Sequence, residues 1–463
     1  MSYADVLPEL VTVSRADPVG DPQLVILNED LSKELDFDPD WLRSSEGRAW
    51  LTGQSEEPTT AQAYAGHQFG KYVPRLGDGR ALLLAERTDR SGTSRDIHLK
   101  GSGPTPFSRG GDGKAALGPM LREYVIGEFL HAVSIPTTRA LAVLTTGEHV
   151  WRDRGPERGA ILVRVATGLV RVGTFQYAAT RDGDVSRRLA DYVIERYYPE
   201  LRGVNEPYVA LFQAVCDNQA SLIADWMAVG FIHGVMNTDN MVIAGESIDF
   251  GPCAFLDIFD RRAVFSSIDH AGRYAYGNQP AIAQWNLARF AESILPLIEP
   301  DTNVAVAKLG EILTGFVTSY EREIGARMAA KFGLDDPCSS LIDEGLDLME
   351  RNQVDFTTFF RALGAGEAPS LVADSPDFAA WYARWESEVD PEARRRMASV
   401  NPLYIPRNHH VDRALTEASD GNLASLERLV SALTDPYRER SELADLAEPP
   451  PPDTPRHVTF CGT

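Results

Sequence analysis

His233-Gly234-Val235-Met236-Asn237-Thr238-Asp239-Asn240, followed beyond the short apolar run Met241-Val242-Ile243 by Ile248-Asp249-Phe250-Gly251, is the segment on which the interpretation of this chain turns. It supplies an asparagine amide on a loop and, nine residues later, a carboxylate at the end of an expected strand. Those are the hard oxygen ligands that Mg²⁺ or Mn²⁺ takes alongside phosphate oxygens. Ser221 to Phe231, just upstream, is apolar and helical in pattern. A polar surface turn is the plainer interpretation, and a lone Asp-Phe-Gly arises easily by chance. The joint spacing favours a metal site, to be tested by its structural context.

In a protein-kinase catalytic loop, H-R-D-x-x-x-x-N, the metal-binding Asn stands seven residues after the His, with an Asp-Phe-Gly downstream. Asn240 stands seven residues after His233, and Asp249 opens the downstream triplet, so Asn240 and Asp249 are the expected metal ligands. One position breaks the pattern. Two residues after His233, where a kinase has its catalytic Asp, this chain has Val235, which cannot accept a proton. Asp239 is the nearest carboxylate able to replace it.

Upstream, other parts of a nucleotide site occur at workable distances. Leu76-Gly77-Asp78-Gly79-Arg80 precedes the apolar run Ala81–Leu84, and Gly77 and Gly79 would let backbone N–H groups approach phosphates. Alone it would be a tight hairpin turn. Lys100 closes the strand pattern Asp96-Ile97-His98-Leu99-Lys100, a suitable place for a phosphate-binding lysine whose partner should be a Glu on the next helix. Glu123 and Glu128 are both available; five residues apart they cannot share a helix face, and Glu123 is the choice. Between Lys100 and that helix, Gly101 to Lys114 is a long glycine-rich loop, either a linker or a second phosphate clamp. Arg164 and Arg171, near the end of an apolar strand, could pair with carboxylates or hold triphosphate.

The wider chain has the order of a two-lobed kinase. Residues 1–60 read as an irregular N-terminal wrap. Residues 61–180 are strand-rich, with one αC-type helix at about 119–133, and form an expected N-lobe. Residues 181–445 carry long helical patterns at 207–229, 281–298 and 304–331, an expected C-lobe. Residues 446–463 are a proline-rich tail ending near Cys461. The fold class is therefore α+β and protein-kinase-like, with terminal extensions. The 463 residues carry a formal net charge of −22, which argues against nucleic acid or anionic membrane as a partner. There is no basic, apolar leader at Met1, no run of roughly 18 apolar residues, and no CxxC pair among four cysteines. A reduced, cytoplasmic monomer is expected.

The chain resembles the selenoprotein O (SelO, YdiU) family. The matching stretches are Ala63-Tyr64-Ala65-Gly66-His67-Gln68-Phe69-Gly70, Leu76–Arg80, Leu121–Tyr124, Ile135–Leu141, the His233–Asn240 loop, Gly272–Tyr276, and Asn401-Pro402 with Ile405–His409. The resemblance implies a kinase-like protein adenylyltransferase that binds ATP in a flipped orientation and presents the α-phosphate to a Ser, Thr or Tyr hydroxyl of a protein. It implies that Lys100, held by Glu123, contacts phosphate, with Gly77, Gly79 and Arg80 over the nucleotide. Asp112 and Gly113 would lie near the nucleoside, Arg164 and Arg171 would complete the triphosphate pocket, Asn240 and Asp249 would hold Mg²⁺ or Mn²⁺, and Asp239 would act as base. Gly168-Leu169 and Lys114 depart from the common family pattern. Some members carry a disulfide between a C-terminal Cys and one in the activation segment. Cys461 matches the first; Cys253 is available, but Phe265 to Asp269 contains no cysteine. UMP transfer, a phosphotransferase kinase and a non-catalytic nucleotide-binding pseudokinase are the alternative functions.

Overall fold

The computed structural model of the chain describes residues 2–152, 155–372, 375–451 and 453–460. Its first lobe is built on an antiparallel sheet. From edge to edge the strands are Val11–Ser14, Thr59–Gln62, Ala81–Thr88, Ser94–Lys100, Gly155–Ala166, Arg139–Arg152 and Gln23–Leu27, with Ala115–Ala116 paired separately to Gly155–Ala166. Both edge strands come from the first 60 residues, expected from the sequence to be an irregular wrap. Val11–Ser14 and Gln23–Leu27 are too short for alternation to show in the sequence; pairing with Thr59–Gln62 and Arg139–Arg152 makes them strands.

Register places the functional side chains. Lys100 pairs with Ala81 and Leu162, and His98 with Leu83 and Arg164. Cross-strand partners share a face, as do residues two apart, so Lys100, His98 and Arg164 project to one side of the sheet. The helix Leu117–Ala132 is buried along most of its length. It packs on Arg139–Arg152 and under the C-terminal helices Asn408–Ser419 and Ala424–Leu433. Of Leu121, Val125, Phe129 and Ala132, whose helical spacing marks this helix in the sequence, the first three are buried and Ala132 is half-buried.

The second lobe is helical, led by Pro207–Val229, Gln279–Ile298 and Thr302–Phe332. Gly230, at φ 75°, ends the first of these in the left-handed conformation that suits glycine. Phe231–Ile232 then pairs antiparallel with Ala254–Phe255, and the segment with Asp239, Asn240 and Asp249 lies between these two short strands. Met241–Ile243, expected as a strand, pairs only through an isolated antiparallel bridge between Arg171 and Val242. Val172 N–H donates to Met241 O and Ile243 N–H to Val170 O, both at 2.9 Å, tying the interlobe connection to the loop. Arg407, fully buried, bonds Asp355 and Asp257 and so fixes the chain beyond Asp249. The proline-rich tail docks: Thr459 N–H donates to Phe265 O and its Oγ1 to Pro252 O. Cys461 lies outside the described residues. Among the described residues no helix is long and apolar enough to cross a membrane.

Candidate active site

One interlobe cleft of about 340 Å³ is lined by Gly77, Gly79, Arg80, Lys100, Asp112, Gly113, Glu123, Arg164, Arg171, Asp239, Asn240 and Asp249. The twelve residues assigned to the nucleotide and metal site from the sequence therefore line the same space.

Its floor is an ion-pair network. Lys100 Nζ donates to Glu123 Oε1 and, at 2.6 Å, to Asp249 Oδ1. Arg164 Nη2 donates to Glu123 Oε2 at 2.7 Å and to Asp249 Oδ1 at 2.6 Å. Arg171 Nη1 lies 3.5 Å from Asp249 Oδ2. Burial opposes the charge on Asp249, but Lys100, Arg164 and Arg171 outweigh it and hold the carboxyl well below its ordinary range. Glu123 is held low in the same way, by Lys100 and Arg164 against burial. Glu128 points elsewhere and accepts from Nε and Nη2 of Arg139, so Glu123 is the glutamate that pairs with Lys100. Asp249 has φ 62°, a left-handed conformation that costs energy for a non-glycine residue and is found where surrounding contacts enforce it.

The loop from His233 is fixed from behind. His233 Nε2–H donates to Ile248 O at 2.8 Å, leaving Nδ1 to accept from Val235 N–H. Burial pushes the imidazole pKa down, so the neutral ring acts as a brace between the loop and Asp249. Val235 is buried and lines the cleft, so no carboxylate occupies the kinase base position. Asn240 uses its amide nitrogen on Val235 O at 2.9 Å, so its oxygen is the atom that could take a metal ion.

Asp239 is the unusual carboxyl. Burial raises its pKa to about 6, against the opposing pull of Arg171. Its Oδ1 is buried without a hydrogen-bond partner, and Oδ2 accepts only a long bond, 3.4 Å, from Gln68 Nε2. Arg171 instead grips the main chain at this point, donating to Asp239 O at 2.6 Å. Gly66 makes the fit possible, since a Cβ there would stand 2.5 Å from Asp239 Oδ1.

The glycine turn is propped by the loop between Lys100 and the helix. That loop is an ordered buttress rather than a linker. Gly77, at φ 132°, lies over the Phe107 ring, which a Cβ would meet at 2.4 Å. Thr105 Oγ1 donates to Asp78 O at 2.6 Å, and Ser108 Oγ donates to Gly79 O. Asp112 is engaged by Arg152 at 2.8 Å and by Lys114 N–H at 3.0 Å.

Three residues were missed from the sequence. Tyr64 underlies Arg171, with the guanidinium 4.5 Å from its ring centre. Gln68 contacts Asp239. Asp78, buried, accepts from Gln62 N–H and faces Arg171 at 3.7 Å. Asp78 sits inside the Gly-Asp-Gly turn already noted, which was its one signal.

The arrangement suits a metal–nucleotide complex. Among the described residues no cluster of three His, Cys, Asp or Glu side chains could hold a metal by itself. Asn240 and Asp249 offer two oxygen ligands, and nucleotide phosphates would have to supply others, as is usual for Mg²⁺.

Comparison with known proteins agrees over the whole chain. The sequence model described as "Protein adenylyltransferase SelO" matches residues 3–434. A relative from Mycobacterium sp. (strain KMS), named "Protein nucleotidyltransferase YdiU", is 52% identical across 100% of this chain and 98% of its own. Proteins of the same name are 52% identical in Mycolicibacterium smegmatis (100% and 97% covered) and 51% identical in Cereibacter sphaeroides strain ATCC 17025 (100% and 98%). Among solved structures, a Toxoplasma gondii rhoptry antigen kinase domain aligns with TM-score 0.28 and 10% identity over 72% of this chain and 84% of that one. With a profile match over nearly its full length and half its residues shared with these relatives, the chain belongs to the SelO family.

Proposed function

We propose that this protein transfers AMP from ATP to Ser, Thr or Tyr hydroxyls of proteins, with Asp239 as the general base. The family description and the relatives' name, protein nucleotidyltransferase, support nucleotidyl transfer to proteins as the broader reading.

The observation that carries it is Asp239 itself. It is a buried carboxyl with an unpartnered oxygen, in one cleft with Lys100, Asn240 and Asp249, while Val235 occupies the place of a kinase base. An acceptor hydroxyl beside Oδ1 gives up its proton to that oxygen as its own oxygen bonds to the α-phosphorus. The bond from that phosphorus to the bridging oxygen breaks, and pyrophosphate leaves. Lys100, Arg164 and Arg171 would offset charge on the phosphates. Asn240 and Asp249 are the residues to hold Mg²⁺ or Mn²⁺, which would supply Lewis-acid charge neutralisation at the phosphate oxygens. Asp249 is the ligand most prepared for that role, because its low pKa keeps it ionised.

The test is label transfer to a protein mixture from α-labelled and γ-labelled ATP, with α-labelled UTP alongside. Retention of the α label, lost in Asp239→Ala and Asp249→Ala, is expected. Retention of the γ label alone would mean a kinase, UTP outcompeting ATP would mean UMP transfer, and no incorporation with either would leave a nucleotide-binding scaffold.

A further inference from the structure

The hairpin Gly66–Gln68/Lys71–Val73 that leans on Asp239 also carries positive charge that the nucleotide site does not use. Lys71 stands opposite Gln68, the residue that contacts Asp239, and Tyr72 opposite His67. The His67 ring meets Trp285 edge-on at 5.2 Å. Two guanidiniums stack on Trp285: Arg273 at 4.8 Å and Arg289 at 5.0 Å. Arg273 also borders the hairpin turn, where a Cβ on Gly70 would lie 3.6 Å from its guanidinium carbon. Arg181, stacked on Tyr177 at 4.4 Å, is close enough to act on the Tyr72 phenol.

Most of these cations lack a counterion. Arg289 pairs with Glu292 at 2.6 Å, but Lys71, Arg181 and Arg273 form no ion pair among the described residues. Arg273 also keeps a buried Nε without a hydrogen-bond partner. In a chain with 67 acidic against 45 basic residues, carboxylates are abundant. Uncompensated cations collected beside the base are therefore a local reversal of the protein's field. Stacking on Trp285 fixes the guanidinium planes and leaves their edges to meet carboxylates, which an arginine fork binds through paired N–H groups. Tyr72, 44% exposed, adds an aromatic surface next to them.

We infer that this platform of Lys71, Tyr72, Arg181, Arg273 and Trp285 docks an acidic segment of the protein substrate, next to the hydroxyl that receives the nucleotide. The inference rests on the proposed transfer to protein hydroxyls. It adds the substrate class: acceptors flanked by Asp or Glu. An acidic segment is repelled by the rest of this chain and attracted here, so the patch gives register and selectivity as well as affinity. Nucleic acid fits less well, because the net charge of −22 opposes a long polyanion beyond the patch.

The experiment measures binding without turnover. Two fluorescent peptides with the same central acceptor hydroxyl, one flanked by Glu and the other by Gln, are titrated with the full-length protein at low salt. The Glu peptide should bind about tenfold or more tightly. Lys71→Gln and Arg273→Gln should each weaken it severalfold, while ATP affinity stays unchanged. Lys71 is exposed, so its variant keeps the test valid if Arg273→Gln disturbs folding. Equal binding of the two peptides, no loss in the variants, or equal competition by an oligonucleotide of the same charge would overturn the inference. AMP incorporation into the same peptides is read separately. Its absence would count against the catalytic reading and leave the binding result to be judged by itself.

Discussion

A carboxyl group buried as Asp239 is, with one oxygen unpartnered, keeps its proton up to about pH 6. As a general base it must be ionised, so kcat/KM should rise with pH through about 6 and then level. The same shift has a stability consequence of definite sign. The folded pKa lies above the unfolded one, so the folded state binds the proton more tightly, and stability falls as pH rises from about 4 through 6. Asp239→Asn removes that penalty. We expect it to lower the rate of transfer by roughly 10²–10⁴-fold while making the protein more stable at pH 7.5, by about 1–3 kcal/mol. The gap should narrow at pH 5. Denaturant titrations at the two pH values, beside rate measurements, check both signs; a variant that is inactive and also destabilised at pH 7.5 would show that Asp239 is a structural group. Asp239 was legible in the sequence as the candidate base by elimination, since Val235 removed the usual one. Its environment was not, because burial and the missing partner at Oδ1 depend on Gly66 and Gln68, distant in the chain.

The element that shapes Asp239 is the hairpin from Gly66 to Val73. Phe69 and Gly70, at φ 50° and 79°, make the kind of two-residue turn that matches strand twist. Its backbone is pinned to the loop: His67 N–H donates to Thr238 Oγ1 at 2.6 Å, and Phe69 N–H to Asn237 Oδ1 at 3.0 Å. Gly66→Ala puts a methyl group into Asp239 Oδ1 and, at 2.9 Å, the Leu76 side chain. Displacing a catalytic group by about 1 Å can cost on the order of 10²-fold. The expected outcome is a fall in kcat of that order with ATP affinity unchanged, measured by steady-state rates and calorimetry; unaltered kcat would separate the hairpin from catalysis. Elements of this kind divide by how local their signal is. The helices Pro207–Val229, Gln279–Ile298 and Thr302–Phe332 follow apolar periodicity and were legible to within about two residues. The edge strands Val11–Ser14 and Gln23–Leu27 were not, because their partners are distant in sequence. Nor was the buttress at Thr105, Phe107 and Ser108, whose contacts with the glycine turn leave no periodic trace.

At the scale of the whole molecule, the two lobes meet through charge. Lys100, Arg164 and Glu123 belong to the sheet lobe and its helix, and Asp249 belongs to the helical lobe. In the structure Asp249 therefore acts as a counterion to Lys100, Arg164 and Arg171, the cations that a triphosphate would also seek. On the proposed function, metal-free ATP would have to compete with that carboxylate for them. A divalent ion held by Asp249, as proposed, would change the balance, because it would neutralise charge on both the carboxylate and the phosphates. Ligand binding stabilises the folded state by mass action, about 2.7 kcal/mol at a ligand concentration a hundredfold above Kd. Thermal unfolding of the wild type should therefore shift upward strongly with ATP and Mg²⁺ together and only weakly with ATP alone. Asp249→Ala should behave in the opposite way. Its unliganded form should melt lower, with three buried cations short of a counterion, and metal-free ATP should then raise its melting temperature more than it raises the wild type's. Mg²⁺ should add little further. If Mg²⁺ enhances the ATP shift equally in both proteins, Asp249 is not the metal ligand and the cation site must be sought elsewhere in the cleft.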